Sequence, residues 1–191
     1  MIAQARPARH AAQMRALASI AILCLAATAA DAACPAQDLS AQKDPLYERL
    51  KASTSELQGI PIAQEIWSLY STAPDARAQD LLDRGVRYLQ RGQYNTSETL
   101  LTELIDYCPD YAEGWNQRAF ARYLDGDYAG AQTDLDRTLE LEPRHFGALS
   151  GKGLTYLKQG KRFEAEQAVR RALKVNPWLN ERRILPPDEK I

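Results

Sequence analysis

Histidine is scarce in this chain: two among 191 residues, alongside three cysteines, two methionines and three phenylalanines. A zinc site wants four N, O or S ligands at short spacing, and so small a stock of imidazole and thiol does not furnish one. Neither sign of charge prevails, with 24 Lys+Arg against 25 Asp+Glu, so there is no electrostatic footprint for nucleic acid and no basic helix for a membrane surface. G-x-S-x-G and H-E-x-x-H are both missing, and no Cys–His pair stands at a recognisable spacing. Asp134 and Asp136 are two apart on a helix and face different directions, so they are no acid–base pair. These absences argue against an enzyme, a cofactor, a small-molecule substrate and a nucleic-acid partner.

Long apolar runs are also lacking. The longest uncharged stretch, ALASIAILCLAATAA at 16–30, has fifteen residues, short of the about 20 that a membrane-spanning helix needs. Arg6, Arg9 and Arg15 precede it and Ala30-Asp31-Ala32 follows, the layout of a secretory signal peptide cut after Ala32. Residues 1–32 are therefore expected to be a cleavable leader of an exported, periplasmic protein, with Met14 an alternative start. Two other outcomes stay open: an uncleaved N-terminal anchor, and a lipoprotein modified at Cys34. Against the second, Asp31 stands where a lipid-attachment signal has an apolar residue. Removal of 1–32 takes away three arginines and one aspartate, leaving 21 Lys+Arg and 24 Asp+Glu. Cys34, Cys108 and His145 remain. The two cysteines could pair in an oxidising compartment, although sequence alone does not bring them together.

What the chain does have is a period. Pro109, Pro143 and Pro177 are 34 residues apart, each after an amphipathic run: LLTELIDYCP, DLDRTLELEP and AVRRALKVNP. On that register Gly85, Ala119 and Gly153 coincide, as do Gly92, Gly126 and Gly160, Ser97, Ala131 and Ala165, and Leu81, Trp115 and Leu149. Each unit reads as two short helices joined at a glycine that supplies a left-handed backbone. The small residues fall where the two helices cross, and the proline ends the second helix. One unit cannot bury its apolar stripes alone, so units must stack.

This pattern resembles the tetratricopeptide repeat. The middle unit matches through Trp115, Ala119, Gly126, Tyr128, Ala131, Leu135 and Pro143, the last through Gly153, Tyr156, Gly160, Ala165, Ala172 and Pro177, and the first more loosely. The expected fold is an all-α solenoid of stacked helical hairpins, with units at 78–111, 112–145 and 146–179. Upstream, 45–76 reads as a capping helical hairpin or degenerate fourth unit, with its turn near Gly59-Ile60-Pro61. Residues 33–44 read as an unstructured lead-in, and 180–191 as a tail with at most a turn or two of helix. Arg118 with Asp134 is expected to form a structural ion pair between helices.

The resemblance also implies a concave groove that binds a protein or peptide. Carried over, its lining is Gln79, Leu82, Val86, Leu89 and Gln90; Glu113, Asn116, Phe120, Tyr123 and Leu124; and Ser150, Leu154, Leu157 and Lys158. Glu113, Asn116, Gln117 and Lys158 would orient the partner. Family members that grip a C-terminal carboxylate use Lys, Asn and Arg at set positions. Leu82, Val86 and Ser150 occupy several of those here, so the groove is not built for that capture. It would be filled by an apolar partner segment, or covered by the N-terminal hairpin or a second copy of the chain. The stretch LEPRHFGALSGKG at 141–153 is no phosphate loop, because only three residues separate Gly147 from Gly151 and Gly153 replaces the metal-binding hydroxyl. It reads as the joint between two repeats, with His145 in the turn.

Overall fold

Met1 and residues 33–187 are described by the computed structural model; residues 2–32 of the expected leader at 1–32 and the last four residues of the tail lie outside the described residues. The described residues hold eight α-helices: α1 (Ser40–Ala52), α2 (Glu56–Tyr70), α3 (Ala76–Gln90), α4 (Tyr94–Tyr107), α5 (Ala112–Asp125), α6 (Tyr128–Leu141), α7 (Phe146–Lys158) and α8 (Arg162–Val175). A 3₁₀ turn, Asn180–Ile184, follows them. Helices α3 to α8 pack as three antiparallel pairs, α3–α4, α5–α6 and α7–α8, each pair stacked on the next.

Local chemistry explains the pairs. In α3 the buried residues are Ala78, Leu81, Leu82, Gly85 and Leu89, an i, i+3, i+4, i+7 stripe. Asp75 caps α3 by accepting the Ala78 N–H, and Asp127 caps α6 through Gly130. The first helix of each pair ends at Gly92, Gly126 or Gly160, with φ of 72°, 93° and 74°, a backbone that only glycine adopts cheaply. The second helices end at Cys108, Glu142 and Asn176, each outside the helical region before its proline, with ψ of 71°, 87° and 98°. Small residues let the partners approach: Ser97 donates its hydroxyl to the Gly85 carbonyl at 2.8 Å, and a Cβ at Gly153 would lie 2.7 Å from Val169.

Two sequence expectations need correction here. The lead-in does not run to residue 44, since α1 begins at Ser40. The hairpin turn is at Ser53–Ser55, not at Gly59-Ile60-Pro61, which lie inside α2. Pro61 is the sixth residue of α2, and the bond it forgoes is to the carbonyl of the exposed Leu57, which water can satisfy. Gly59 serves close approach, because a Cβ there would overlap the Trp178 indole.

The hairpin also does not stack on α3 as a fourth repeat. Its helix α1 packs on α2 and α8, and the pair lies across the three turns that follow α4, α6 and α8. At the first turn Cys34 forms a disulfide with Cys108, Cα atoms 5.2 Å apart, and Tyr111 donates its phenol to the Tyr70 carbonyl at 2.8 Å. At the second, Lys43 pairs with Glu142 and Asp44 with Arg144, while the Tyr70 hydroxyl donates to the Arg144 carbonyl at 2.9 Å. At the third, the Trp178 indole donates to Ser53 at 2.6 Å, and Glu56 pairs with Arg182. Tyr47, Leu50, Ile62, Ile66, Tyr70 and Phe146 form the shared core, flanked by Val175, Trp178 and Leu179. The tail closes the other side, with Leu185 buried against Val169 and Leu173.

Burial holds the phenols of Tyr47, Tyr70 and Tyr111 neutral, pushing each well above its ordinary value of 10. The unfolded chain ionises these groups near pH 10 while the folded chain does not. Stability is therefore fully present below that pH and is lost as pH rises beyond it, by up to about 1.4 kcal/mol per pH unit for each tyrosine. Urea melts between about pH 8 and 11, with phenolate absorbance followed in parallel, should show that loss and a set of tyrosines that ionise only on unfolding. Free titration of all tyrosines in the native state would contradict it.

Candidate functional site

Helices α3, α5 and α7 line the concave side, and α2 lies against part of it. A carboxylate at the start of α5 organises this covered part. Glu113 is 1% exposed and accepts bonds from Asn116 Nδ2 at 3.1 Å and Gln117 Nε2 at 2.5 Å. His145, completely buried, lies with Nε2 2.9 Å from Glu113 Oε2. His145 Nδ1 accepts the Ala148 N–H at 3.1 Å and caps α7. That bond leaves Nδ1 unprotonated, so Nε2 carries the hydrogen and donates it to Glu113. Three donors and the positive end of α5 keep the buried carboxylate satisfied.

On this turn α2 lays its aromatic rings. Tyr70 stacks on the His145 imidazole with centroids 3.9 Å apart. Trp67 stacks on Phe146 at 5.6 Å and meets His145 edge-on at 5.7 Å. A Cβ at Gly147 would stand 2.5 Å from the Trp67 ring, so glycine there admits the indole. His145 is thus a structural residue inside the joint, with both ring nitrogens engaged.

Beyond Trp67 the groove stays open as a cavity of about 380 Å³. Val86, Leu89 and Gln90 of α3, Asn116, Gln117, Phe120 and Tyr123 of α5, and Ser150, Gly151 and Leu154 of α7 line it with Trp67. Phe120 is 45% exposed. No lining residue carries a charge.

Of the groove residues named from sequence, the structure brings Val86, Leu89, Gln90, Asn116, Phe120, Tyr123, Ser150 and Leu154 together at this cavity. It does not bring Leu82, which is buried with Ala73 and Tyr111, or Gln79, Leu124, Leu157 and Lys158, which lie outside the lining. Glu113 is corrected from partner contact to buried anchor, because His145 and two amides consume its oxygens. Trp67 was missed as a wall; its helical spacing with Tyr70 marks an apolar face, but nothing in the period says which surface that face meets.

Arg118 and Asp134 meet in a bidentate pair at 2.9 and 2.8 Å. It is part of a larger network: Arg118 also reaches Thr102, and Arg122 bridges Asp134 at 2.9 Å and Glu98 at 2.7 Å. Helices α4, α5 and α6 are thereby joined through one buried carboxylate. Removing one partner leaves buried charge without compensation, at a cost of about 3–5 kcal/mol. Asp134→Ala should lower the denaturation midpoint accordingly in urea melts, whereas Arg49→Ala, in an exposed pair with Glu65, should change it little. Equal effects would refute the ranking.

Paired helices, left-handed glycines and a 34-residue proline period define an α-solenoid of helical hairpins. No protein-family model matches the chain. A TPR repeat-containing protein of Rhizobium etli is 31% identical over 134 residues, 70% of this chain and 66% of that one. Tetratricopeptide repeat protein 36 of Xenopus tropicalis is 35% identical over 107 residues, 54% and 53% of the two chains. The chain thus spans between about half and two thirds of the length of these relatives. The first TPR of Spaghetti (RPAP3), solved with the HSP90 peptide SRMEEVD, superposes with a TM-score of 0.54 at 25% identity, over 56% of this chain and 90% of that one. The TPR2AB domain of yeast Sti1, in its pHSP90 complex, has a TM-score of 0.54 at 19% identity, over 77% and 60%, which speaks for the fold alone. This chain belongs to the tetratricopeptide-repeat family.

Proposed function

We propose that this protein is a non-catalytic scaffold, exported to the bacterial periplasm, that holds a protein partner in the open part of its concave groove. The observation that carries the reading is the uncharged cavity between α2, α3, α5 and α7, with Phe120 and Trp67 exposed in its walls. Exposed aromatics in a preformed hollow are what hot spots of protein interfaces are made of. The RPAP3 repeat domain was solved with an acidic peptide. Here the lining offers no lysine or arginine for carboxylates, so the partner segment differs in chemistry. A non-catalytic role is supported by the fate of the reactive side chains: Cys34 and Cys108 are oxidised to a disulfide, and His145 has both nitrogens bonded.

Export is supported by the leader pattern at 1–32 and by that disulfide, which persists in oxidising compartments. Cys34 Sγ is bonded to Cys108 and so is not free for a thioether-linked lipid, which favours a soluble mature chain. Among the described residues no helix is long and apolar enough to cross a membrane. Periplasmic extracts should contain a chain beginning at Ala33 with no thiol open to alkylation before reduction. A full-length, thiol-reactive chain in the cytoplasm would refute export.

The interaction itself is read by photocrosslinking in cells. With p-benzoylphenylalanine in place of Phe120, the chain should form adducts with a specific protein, identified by mass spectrometry. The same group in place of the exposed Thr99, on α4, should not. Adducts absent at Phe120, or equal at both positions, would sink the scaffold reading. Adducts only with the chain itself would favour self-association, a subunit that assembles with its own copies.

A further inference from the structure

The concave face already contains one helix, the chain's own α2. Its Tyr70 and Trp67 sit on the His145–Gly147 turn, in the half of the groove nearest the starts of α5 and α7. What remains is a cavity of about 380 Å³, with one wall that no repeat supplies. Three features define what fits there.

Charge comes first. None of the lining side chains is ionisable at neutral pH, so a carboxylate or ammonium group entering the cavity would lose water without gaining a counter-ion. Second come the amides. Asn116 and Gln117 each give one amide N–H to Glu113 and keep their amide oxygens as acceptors, and Gln90 brings a further donor and acceptor. Amides suit an extended peptide, whose backbone N–H and C=O groups still need partners; a helix has already satisfied its own. Third, the Trp67 ring is held in place before any ligand arrives, by Phe146, His145 and Tyr70 at centroid distances of 5.6, 5.7 and 5.8 Å. A wall fixed in advance costs little ordering on binding.

We infer that the cavity takes an uncharged, extended peptide segment of the partner, anchored by one large aliphatic or aromatic side chain between Trp67 and Phe120, and that Trp67 sets this preference. The inference rests on the scaffold reading above and names the chemistry of its partner. The recognised segment lies within a chain or at a blocked end, because a free terminal carboxylate finds no cation in the lining. Trp67 belongs to the hairpin, so the strap over the turns is also a part of the binding site.

The test uses the full oxidised chain and calorimetry with three probes. They are the acetylated, amidated pentapeptide Gly-Leu-Phe-Leu-Gly, the same peptide with aspartate in place of phenylalanine, and the acidic peptide SRMEEVD. The neutral peptide should bind saturably, and both charged probes at least tenfold more weakly. Trp67→Ala should weaken the neutral peptide at least tenfold. Val86→Asp, on the opposite wall and independent of the hairpin, should do the same, each variant having a native circular-dichroism melt. Tighter binding of SRMEEVD, or no saturable binding of the neutral peptide, would overturn the inference. So would a Trp67→Ala affinity within twofold of the unaltered chain. If those results appear while the Phe120 crosslink to a protein persists, the scaffold reading survives and only the peptide chemistry is wrong. Loss of the crosslink as well refutes both.

Discussion

The stack of Tyr70 on His145, with Glu113 beneath, is the contact on which the rest of this structure depends. It joins three things that are distant in sequence: the end of α2, the turn between α6 and α7, and the first turn of α5. Burying a carboxylate and an imidazole is costly unless every lone pair and proton finds a partner. Here Asn116, Gln117 and the Ala148 N–H complete the set. Once satisfied, the joint offers a flat aromatic surface, and the C-terminal half of α2 lays Tyr70 and Trp67 on it. Trp67 follows from that docking, and with it the shape of the open cavity.

A solenoid built only from nearest-neighbour contacts is held unit by unit, and its ends can open independently. The hairpin changes this by adding contacts between elements far apart in the chain. It touches all three turns, so the first and last repeats are tied through one strap, at one end covalently by the Cys34–Cys108 bond. The chain separation of that bond, 74 residues, corresponds to a constraint on the unfolded state worth about 4 kcal/mol by the loop-entropy estimate. The Asp134 network acts at shorter range, joining α4, α5 and α6. Repeat packing, buried ion network and strap therefore work on successively larger scales.

Much of the solenoid was legible in the sequence because its causes are local. A left-handed turn wants glycine, the residue before a proline leaves the helical region, and a close helix crossing wants glycine, alanine or serine. Gly126, Cys108-Pro109 and the Gly85–Ser97 crossing show each case. The Arg118–Asp134 pair was legible for a similar reason, since both residues sit at fixed places within one repeat. The residues that line the cavity were legible only in part. Val86, Phe120, Tyr123 and Leu154 were implied by the family resemblance and line the cavity, but Glu113, implied in the same way, is buried. The difference arises from what covers it, and the cover is not periodic.

By itself, then, the sequence determined the helices of the three repeats, their glycine and proline ends, the pairing within each unit and the 34-residue stacking, all consequences of backbone preference and apolar spacing over short distances. Only the tertiary structure decided where the N-terminal hairpin goes, that Cys34 reaches Cys108, and that His145 is an interior residue. Those outcomes depend on matching two surfaces between about 40 and 125 residues apart, from Tyr70 and Tyr111 to Ser53 and Trp178. No local preference encodes such a match. An apolar helix face shows that a helix must be covered, and leaves open by what.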